Sequence, residues 1–259
     1  MKLLPILAER TTGFSMIFLD PPYFDWNVEE YNIQFGRYTE SFLKPDHQKL
    51  SKLAFQLLSP NGTVWLCGTI PQLLEDYKYW KRYFRVVFEI IQYKTQGTPP
   101  INRFTPMRVH ENIWCMIKKN TRISETKLDI TRAAKSRKPK RTRNKEFRIR
   151  RTGTIKGIRE GVGYPKTVIQ VPQISSRSKE YYGHPTQKPL KLMRTIIKMS
   201  TEEGDTVLDP FAGSGTTLIA CEEMNRNCLG IEINKKYIQM IKKRIQILRS
   251  MEKLDKFIL

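Results

Sequence analysis

A chain of 259 residues is long enough for one α/β domain with an inserted or subsidiary piece, and its apolar share of 39% is sufficient for a core. The net charge of +21 and the isoelectric point near 9.9 predict a polyanionic partner, nucleic acid before a membrane. No stretch approaches the roughly 20 apolar residues of a membrane helix, and the N-terminal apolar run is too short for a secretory signal. We therefore expect a soluble, intracellular protein.

The cysteine and histidine residues indicate no disulfide framework and no metal site. No C-x-x-C pair occurs, and three of the four cysteines lie within apolar strand or helix runs, which is typical of small buried side chains in a reducing compartment. The three histidines are too scattered to indicate a metal. The four cysteines are Cys67, Cys115, Cys221 and Cys228.

The first distinctive motif follows a buried strand predicted over Met16 to Leu19. Asp20-Pro21-Pro22-Tyr23 would lie at the carboxyl end of that strand, the edge at which parallel sheets bind ligands. Neither proline has an N–H, so the Asp20 carboxylate and the Pro21 carbonyl would form a rigid acceptor pair for the two hydrogens of an exocyclic amine. Tyr23 would add a flat face for stacking on a base. Taken alone, the motif would more often be a simple turn.

Alternating strands and helices follow this motif and favour a doubly wound sheet. The pattern predicts a helix over 39–58, a turn at Ser59-Pro60-Asn61-Gly62, a strand over 63–67, a helix over 71–83, and strands over 85–93 and 111–117. Beyond the middle of the chain it predicts strands over 167–171, 206–208 and 228–231, helices over 190–199 and 217–226, and a final helix capped by Asn234. The buried side of the helix over 190–199 would consist of Leu192, Met193, Ile196 and Ile197. The residues that follow the strands over 16–19 and 206–208 should meet at the carboxyl edge of one sheet.

A strongly basic segment interrupts this alternation. Residues 118–159 contain 17 basic and three acidic residues, a net charge of +14, which is about two thirds of the excess of the whole chain. A solvated, disordered stretch is the ordinary interpretation of such a run. Because this one is internal and carries apolar residues among its charges, we expect an insertion that contacts nucleic acid.

A glycine-rich turn lies between the strand predicted over 206–208 and the helix that follows it. It does not match the dinucleotide fingerprint, which would require glycine in place of Leu218, and it does not match the P-loop. Such a turn allows a ligand to approach the backbone at a helix N-terminus. The acid that opens the turn indicates a ligand with a positive group, and Glu232, after the next strand, could hold a ribose diol. The turn is Asp209-Pro210-Phe211-Ala212-Gly213-Ser214-Gly215-Thr216-Thr217.

The glycine turn, together with Gly230-Ile231-Glu232-Ile233-Asn234, resembles S-adenosylmethionine-dependent amino-methyltransferases. Asp20-Pro21-Pro22-Tyr23 is a second piece of that resemblance, and His184-Pro185-Thr186-Gln187-Lys188-Pro189 is a third. The order of the motifs resembles the β class of DNA adenine-N6 and cytosine-N4 methyltransferases. The resemblance covers most of the chain except its middle.

The resemblance implies an α/β fold, a circularly permuted Rossmann-like methyltransferase sheet with a basic target-recognition insertion. Residues 1–117 would form the catalytic half, 118–162 the insertion and 163–259 the cofactor-binding half. The cofactor would be S-adenosylmethionine, with Asp209 at its methionine amino group, Glu232 at its ribose and His184-Pro185-Thr186 closing over its methionine part. The implied cofactor-binding set also includes Phe211, Ala212, Gly213, Ser214, Gly215 and Thr216, and the implied catalytic set is Asp20, Pro21, Pro22 and Tyr23.

The implied activity is methyl transfer to adenine N6 in a base flipped out of double-stranded DNA, as part of a restriction-modification system. Adenine is favoured because Asp20 precedes the two prolines, where cytosine-N4 relatives tend to have serine. A cytosine-N4 enzyme, a catalytically degenerate DNA-binding subunit and, more weakly, an RNA methyltransferase remain as alternatives. A cognate restriction endonuclease and a second copy of the chain are the expected protein partners, and the cytoplasmic nucleoid is the expected location.

Relatives usually carry a further strand before the Asp-Pro-Pro-Tyr strand, ending in an acid that contacts the adenine ring of the cofactor. Residues 1–15 here predict a short helix and a turn instead. We therefore expect that this strand is absent or that the gene start lies further upstream.

Overall fold

A seven-stranded sheet with helices on both faces forms the body of the protein. The computed structural model describes residues 4–6, 13–22, 45–98, 103–104, 106–133, 135–136, 162–163 and 165–255. The strands are β1 Phe14–Leu19, β2 Leu58–Gly68, β3 Phe84–Thr98, β4 Arg108–Lys118, β5 Lys135–Ser136, β6 Val162–Gly163, β7 Val168–Gln170, β8 Thr206–Asp209 and β9 Asn227–Gly230. The main helices are α1 His47–Leu57, α2 Ile70–Trp80, α3 Leu190–Ser200, α4 Thr216–Glu222 and α5 Lys235–Asp255.

The strand order in the large sheet is β7-β3-β4-β2-β1-β8-β9. Every neighbouring pair is parallel except the two pairs that contain β4, so the sheet is mixed, not wholly parallel. Met16 and Ile17 of β1 pair with Val207 and Leu208 of β8. Because these two strands are adjacent and parallel, the residues that follow them emerge at the same edge of the sheet.

The core lies on both faces of the central strands. Ile17 and Leu19 of β1 pack in a cluster with α1 and α2, whereas Met16 and Phe18 pack in a second cluster with α3. A strand buried on both faces is expected to be a continuous apolar run, which is what β1 is. The four residues predicted to form the buried side of α3 are all fully buried, namely Leu192, Met193, Ile196 and Ile197.

Two predicted helix boundaries differ from the structure. Helix α1 begins at His47, after Asp46, whose side chain accepts a hydrogen bond from the Lys49 N–H at 2.9 Å. Residues 39–44, including Phe42, lie outside the described residues. Helix α4 ends at Glu222, four residues before the predicted end, because the chain turns through Asn225 with φ at 57°.

The predicted turn at residues 59–62 is wrong, because β2 already begins at Leu58. Leu58 pairs with Phe14, and the next registered pair joins Thr63 to Met16, so the intervening residues form an irregularity within the strand. Proline and glycine in this stretch bend the strand as a bulge does, and they do not end it.

The first part of the predicted basic insertion packs against the sheet body. The Asp129 N–H donates to the Met199 carbonyl at 2.7 Å, and Arg132 pairs with Glu202 at 2.8 Å. Lys127 forms an ion pair with Asp205. Only five of the 17 basic residues lie in 118–133, whereas twelve lie in 134–159, nearly all of them outside the described residues. Within the described ranges, no helix is long and apolar enough to cross a membrane.

Candidate active site

The Asp20 motif lies at the carboxyl end of β1, in the middle of the sheet. Asp20 directly follows Leu19, its side chain is 18% exposed, and Pro21 after it is buried. The carboxylate therefore stands at the edge of the sheet at which the sequence predicted a site. Tyr23 lies outside the described residues.

A row of buried charges begins at Asp20. The Lys188 ammonium lies 2.8 Å from Asp20 Oδ2 and 2.8 Å from Glu111 Oε2, and the Lys94 ammonium lies 2.5 Å from Glu111 Oε1. The charges of these four side chains alternate in sign along the row. Asp20 follows β1, Lys188 precedes α3, Glu111 lies in β4 and Lys94 lies in β3. We call this set, Asp20, Lys188, Glu111 and Lys94, the ion row.

Opposite charges within the ion row shift the pKa values of Glu111 and Lys188 against the effect of burial. Burial alone would raise the pKa of Glu111, but the ammonium groups of Lys188 and Lys94 override burial and lower that pKa to about 2. Burial alone would lower the pKa of Lys188, but the carboxylates of Asp20 and Glu111 raise it well above its usual value. Glu111 and Lys188 are therefore both charged at neutral pH.

Asp209 is the last residue of β8, the strand that pairs with β1, and its environment contrasts with that of Asp20. Its side chain is buried, and Oδ1 accepts a hydrogen bond from the Phe211 N–H at 3.0 Å. Burial raises the pKa of Asp209 to about 7, although hydrogen bonds from Thr217 and the Phe211 N–H oppose that rise. In the described part of the chain, no recorded ion pair involves Asp209. Among the described residues, no basic side chain therefore forms an ion pair with this buried carboxylate.

The glycine turn packs closely against two neighbouring side chains. Gly213 and Gly215 have φ of +49° and +74°, the left-handed region that favours glycine. A Cβ added to Gly213 would lie 3.1 Å from His184 Nε2, and one added to Gly215 would lie 2.7 Å from Ile241. The space beside Gly213 is therefore occupied by His184, which the resemblance assigned to the same ligand.

His184 is held over the turn by its neighbours. Its ring lies 4.4 Å from that of Tyr237 between centroids, and its Nδ1 accepts from the Thr186 N–H at 3.3 Å. Burial lowers the pKa of His184 to about 4, so the imidazole is neutral at pH 7. A neutral ring therefore adds no positive charge beside the glycine turn.

Glu232 ties the glycine turn to the end of β9. Its two carboxylate oxygens accept hydrogen bonds from the Gly213 and Asn234 N–H groups, each at 2.8 Å. Each carboxylate oxygen has more than one acceptor position, so these two bonds leave room for hydroxyl donors. The Ser214 carbonyl, on the other side of the turn, accepts from Arg244 of α5 at 2.5 Å.

Three members of the ion row were missed by sequence reasoning. Lys188 belongs to the quoted His184–Pro189 segment, yet no role was assigned to it, and Glu111 and Lys94 were only parts of predicted strands. A lysine followed by proline in a segment of the resemblance is a signal that could have marked Lys188. Glu111 and Lys94 become apparent only once β3 and β4 are paired.

The residues present fit S-adenosylmethionine by their chemistry. Asp209 suits an ammonium group, the glycine turn allows close backbone approach, and Glu232 suits a ribose diol. Asp20, on the adjacent strand, is a fixed hydrogen-bond acceptor at the same sheet edge. Among the described residues, no group of three or more histidines, cysteines, aspartates or glutamates could hold a metal ion.

Comparison with known proteins agrees with this arrangement. The family model described as DNA methylase matches residues 14–243. The Type II methyltransferase M.HpaI of Haemophilus parainfluenzae is 30% identical over 250 residues, which are 95% of this chain and 71% of that protein. The DNA adenine methyltransferase YhdJ of Escherichia coli is 45% identical over 83 residues, 32% of this chain and 28% of that protein.

Two solved structures share the fold. The M1.HpyAVI complex with SAM is 22% identical with a TM-score of 0.57, and the match covers 94% of both chains. The PvuII DNA methyltransferase, described as cytosine-N4-specific, is 17% identical with a TM-score of 0.61, over 92% of this chain and 82% of that one. The predicted Rossmann-like methyltransferase fold is thereby confirmed.

The mixed sheet is the fold that these two methyltransferase structures share. The match to the family model spans most of the chain, and the protein therefore belongs to the DNA methylase family. Its substrate class is DNA, and the resemblance found from the motifs is confirmed.

Proposed function

We propose that the protein transfers a methyl group from S-adenosylmethionine to adenine N6 of a base flipped out of double-stranded DNA. The observation that carries the proposal is the parallel pairing of β1 with β8, because it brings Asp20 and Asp209 to one sheet edge. One carboxylate is suited to an amine that is to be methylated, and the other to the cationic end of the methyl donor. The relative YhdJ, named as a DNA adenine methyltransferase, supports the choice of adenine.

S-adenosylmethionine supplies an electrophilic methyl group on a sulfonium centre. The part left to the protein is to make the exocyclic nitrogen nucleophilic, because its lone pair is delocalised into the base. Asp20 and the Pro21 carbonyl would each accept one of the two amine hydrogens and so favour a tetrahedral nitrogen with a localised lone pair. Pro21 and Pro22 stiffen the backbone that carries both acceptors. Tyr23 would stack on the flipped base.

The cofactor end is assigned to residues around the glycine turn. Asp209 would pair with the methionine ammonium, and Glu232 would accept from the ribose hydroxyls in addition to its two backbone donors. His184, Pro185 and Thr186 would close over the methionine part. The rest of the proposed cofactor site would be lined by Phe211, Ala212, Gly213, Ser214, Gly215 and Thr216.

Target recognition is assigned to the basic segment, predicted over 118–162. Residues 123–133 already pack on α3 and its surroundings, so the twelve basic residues of 134–159 are the better candidates for phosphate contacts. Neutralising Arg141, Arg143 and Lys145 together should weaken DNA binding and reduce the slope of log affinity against log salt by roughly 0.9 per lost contact. The control variant neutralises three exposed lysines of α5, Lys235, Lys242 and Lys243. An equal loss of slope in both variants would contradict the assignment.

The biological setting is proposed from the relatives. M.HpaI is named as a Type II methyltransferase, which supports a role in a restriction-modification system with a cognate endonuclease, acting on the nucleoid in the cytoplasm. A homodimer is proposed on the resemblance alone. Light scattering during size-exclusion chromatography measures the mass, and a monomer at assay concentrations would contradict the dimer.

The experiment that tests the proposed function is nucleoside analysis. Unmethylated bacteriophage genomic DNA is incubated with the protein and isotopically labelled S-adenosylmethionine, then digested to nucleosides and resolved. Label in N6-methyladenine is the expected result. Label in N4-methylcytosine alone would overturn the base assignment, and no label despite measurable cofactor and DNA binding would indicate a degenerate DNA-binding subunit.

A further inference from the structure

The ion row is buried more deeply than charged residues usually are. Lys94 and Lys188 are 7% and 8% exposed, and the Glu111 side chain is 14% exposed. Replacing a buried ion pair with well-packed apolar residues is often neutral or stabilising, whereas removing one member leaves an uncompensated charge. Stability alone therefore gives no reason for three buried charges beside the Asp20 carboxylate, and their effect on its geometry is the better explanation.

The row fixes the Asp20 carboxylate from outside its own strand. Lys188 Nζ lies 2.8 Å from an oxygen of Asp20 and 2.8 Å from an oxygen of Glu111, so the ammonium is held between two strands. Glu111 is fixed in turn by Lys94 of β3. A carboxylate held by such a chain cannot rotate without breaking a buried ion pair.

Lys188 also connects Asp20 with the glycine turn. It lies four residues after His184, which packs against Gly213, and the Gly213 N–H donates to Glu232. Between them, Gln187 is buried and its side-chain oxygen accepts from the Tyr182 N–H at 3.1 Å. One short, well-fixed segment therefore contacts the proposed cofactor turn at one end and the proposed amine acceptor at the other.

We propose that Lys188 is a positioning residue that sets the Asp20 carboxylate at the distance and angle required for methyl transfer. The inference rests on the proposed function of Asp20. Lys188 acts through Asp20 and does not contact the reacting atoms. Its removal therefore reduces turnover and leaves cofactor affinity unchanged.

The first test replaces the ammonium with an apolar group of similar length, Lys188→Met. A displacement of about 1 Å at a reacting group can cost about 10²-fold in rate, so kcat on unmethylated phage DNA should fall by about that factor. Cofactor affinity by calorimetry should stay the same. The control is Lys198→Met on the exposed side of α3, which should leave kcat unchanged. Wild-type kcat in Lys188→Met would overturn the proposal.

A second variant separates positioning from charge balance. Lys188→Met combined with Glu111→Gln removes one charge of each sign, so the remaining row, Lys94 and Asp20, is again neutral. If Lys188 positions Asp20, the double variant regains thermal stability relative to the single variant while kcat stays low. Recovery of kcat together with stability would overturn the proposal, because the row would then serve only to balance charge.

A double-mutant cycle with Asp20→Ala, which removes the acceptor, distinguishes this inference from the proposed function. If Lys188 acts through Asp20, adding Lys188→Met to Asp20→Ala should cost little further kcat, so the two effects are strongly non-additive. Additive effects would overturn the positioning role. Full activity of Asp20→Ala would instead reject the proposed function, whereas a defective Asp20→Ala beside a fully active Lys188→Met would reject the positioning role alone.

Discussion

Asp20 and Asp209 follow two adjacent parallel strands, yet their surroundings are opposite. Asp20 is paired with the Lys188 ammonium at 2.8 Å, and that ammonium belongs to a charge-balanced row. Asp209 is buried, and burial, with smaller contributions from the carboxyl groups of Asp20 and Glu232, raises its pKa to about 7. The two carboxylates differ in the ligand that each is suited to meet.

The difference has a physical reason. In the proposed mechanism, a neutral amine would bring no charge to Asp20, so the protein would have to fix this carboxylate itself before the base arrives. A cationic ligand would bring a charge to Asp209, and an internal cation there would compete with it. Asp209 would then be the part of the site that the ligand completes.

The largest expected effect comes from removing the carboxylate of Asp20, which is paired with the Lys188 ammonium. Asp20→Ala should reduce methyl transfer by about 10²–10³-fold, the usual cost of losing a fixed acceptor or donor at a reacting group. Cofactor affinity should change little, because the proposed cofactor contacts lie in the other half of the site. Labelled-methyl incorporation and calorimetry measure the two quantities. Glu203→Ala, at an exposed acid outside the site, is the control. Full activity of Asp20→Ala would remove Asp20 from the mechanism.

Removing the carboxylate of Asp209 should instead weaken cofactor binding. Asp209→Asn keeps an acceptor for the Phe211 N–H but cannot pair with an ammonium. A hydrogen bond to a charged group is worth about 1.5–3 kcal/mol, so cofactor affinity should fall about 10- to 100-fold. Asp205→Asn, at the acid that pairs with Lys127 before β8, should lower stability and leave affinity unchanged. Equal losses of cofactor affinity in Asp209→Asn and Asp205→Asn would show that Asp209 has no special role in binding the cofactor.

The pH dependence of cofactor binding should follow Asp209. Because its pKa is about 7 in the free protein, binding of a cation must first release a proton at lower pH. Affinity should therefore rise up to about tenfold per pH unit until about pH 7, and it should fall again as the cofactor α-amino group loses its proton near 7.7–8.0. Asp209→Asn should lose the acidic limb of this profile and keep the alkaline one. An acidic limb that survives the substitution would assign it to another group.

The same shift predicts the stability of the free protein. The pKa of Asp209 is raised from 3.8 to about 7 on folding, so the folded state binds this proton more tightly than the unfolded state does. The contribution of Asp209 to stability is therefore present below about pH 4 and is lost progressively as the pH rises to about 7. Saturating cofactor should offset that loss at neutral pH.

The smallest expected effect is at Gly213. Gly213→Ala places a methyl group in a left-handed backbone position and 3.1 Å from His184 Nε2. Gly204→Ala is a matched control, because Gly204 also has positive φ, +81°, and nothing lies within 4 Å of an added Cβ. Both variants should lose about 1–2 kcal/mol of stability from the backbone, but only Gly213→Ala should weaken cofactor binding severalfold. Equal affinity in the two variants would make the His184 contact irrelevant to the ligand.

The sequence predicted those features that depend on local pattern. Apolar runs identified β1 and β8, and the periodicity of Leu192, Met193, Ile196 and Ile197 identified the buried side of α3. Motif residues predicted that Asp20 and Asp209 would emerge at one edge. These predictions succeeded because strand ends and helix faces are set by residues close together in the chain.

The features that were missed depend on pairing across the sheet. Lys188 and Glu111 are 77 residues apart in sequence, and they meet only because β4 lies beside β2 and runs antiparallel to it. The stretch at residues 59–62 has the composition of a turn, but its pairing with β1 keeps it within β2. Pairing between distant strands determines both the Lys188–Glu111 contact and the strand structure of residues 59–62. A short stretch of sequence predicts neither.

The position of β1 between β2 and β8 also has a consequence for the newly made chain. The partner β2 is translated soon after β1, whereas Thr206, at the start of β8, follows nearly the whole sheet. At about 5–20 residues per second, one side of β1 waits roughly 10–40 s on the ribosome before its second neighbour exists. During that time Met16 and Phe18 lack the side chains of α3 and Val207 that complete their cluster, so part of this apolar strand stays exposed on the nascent chain. The order of the strands along the chain therefore lengthens the exposure of β1 during synthesis.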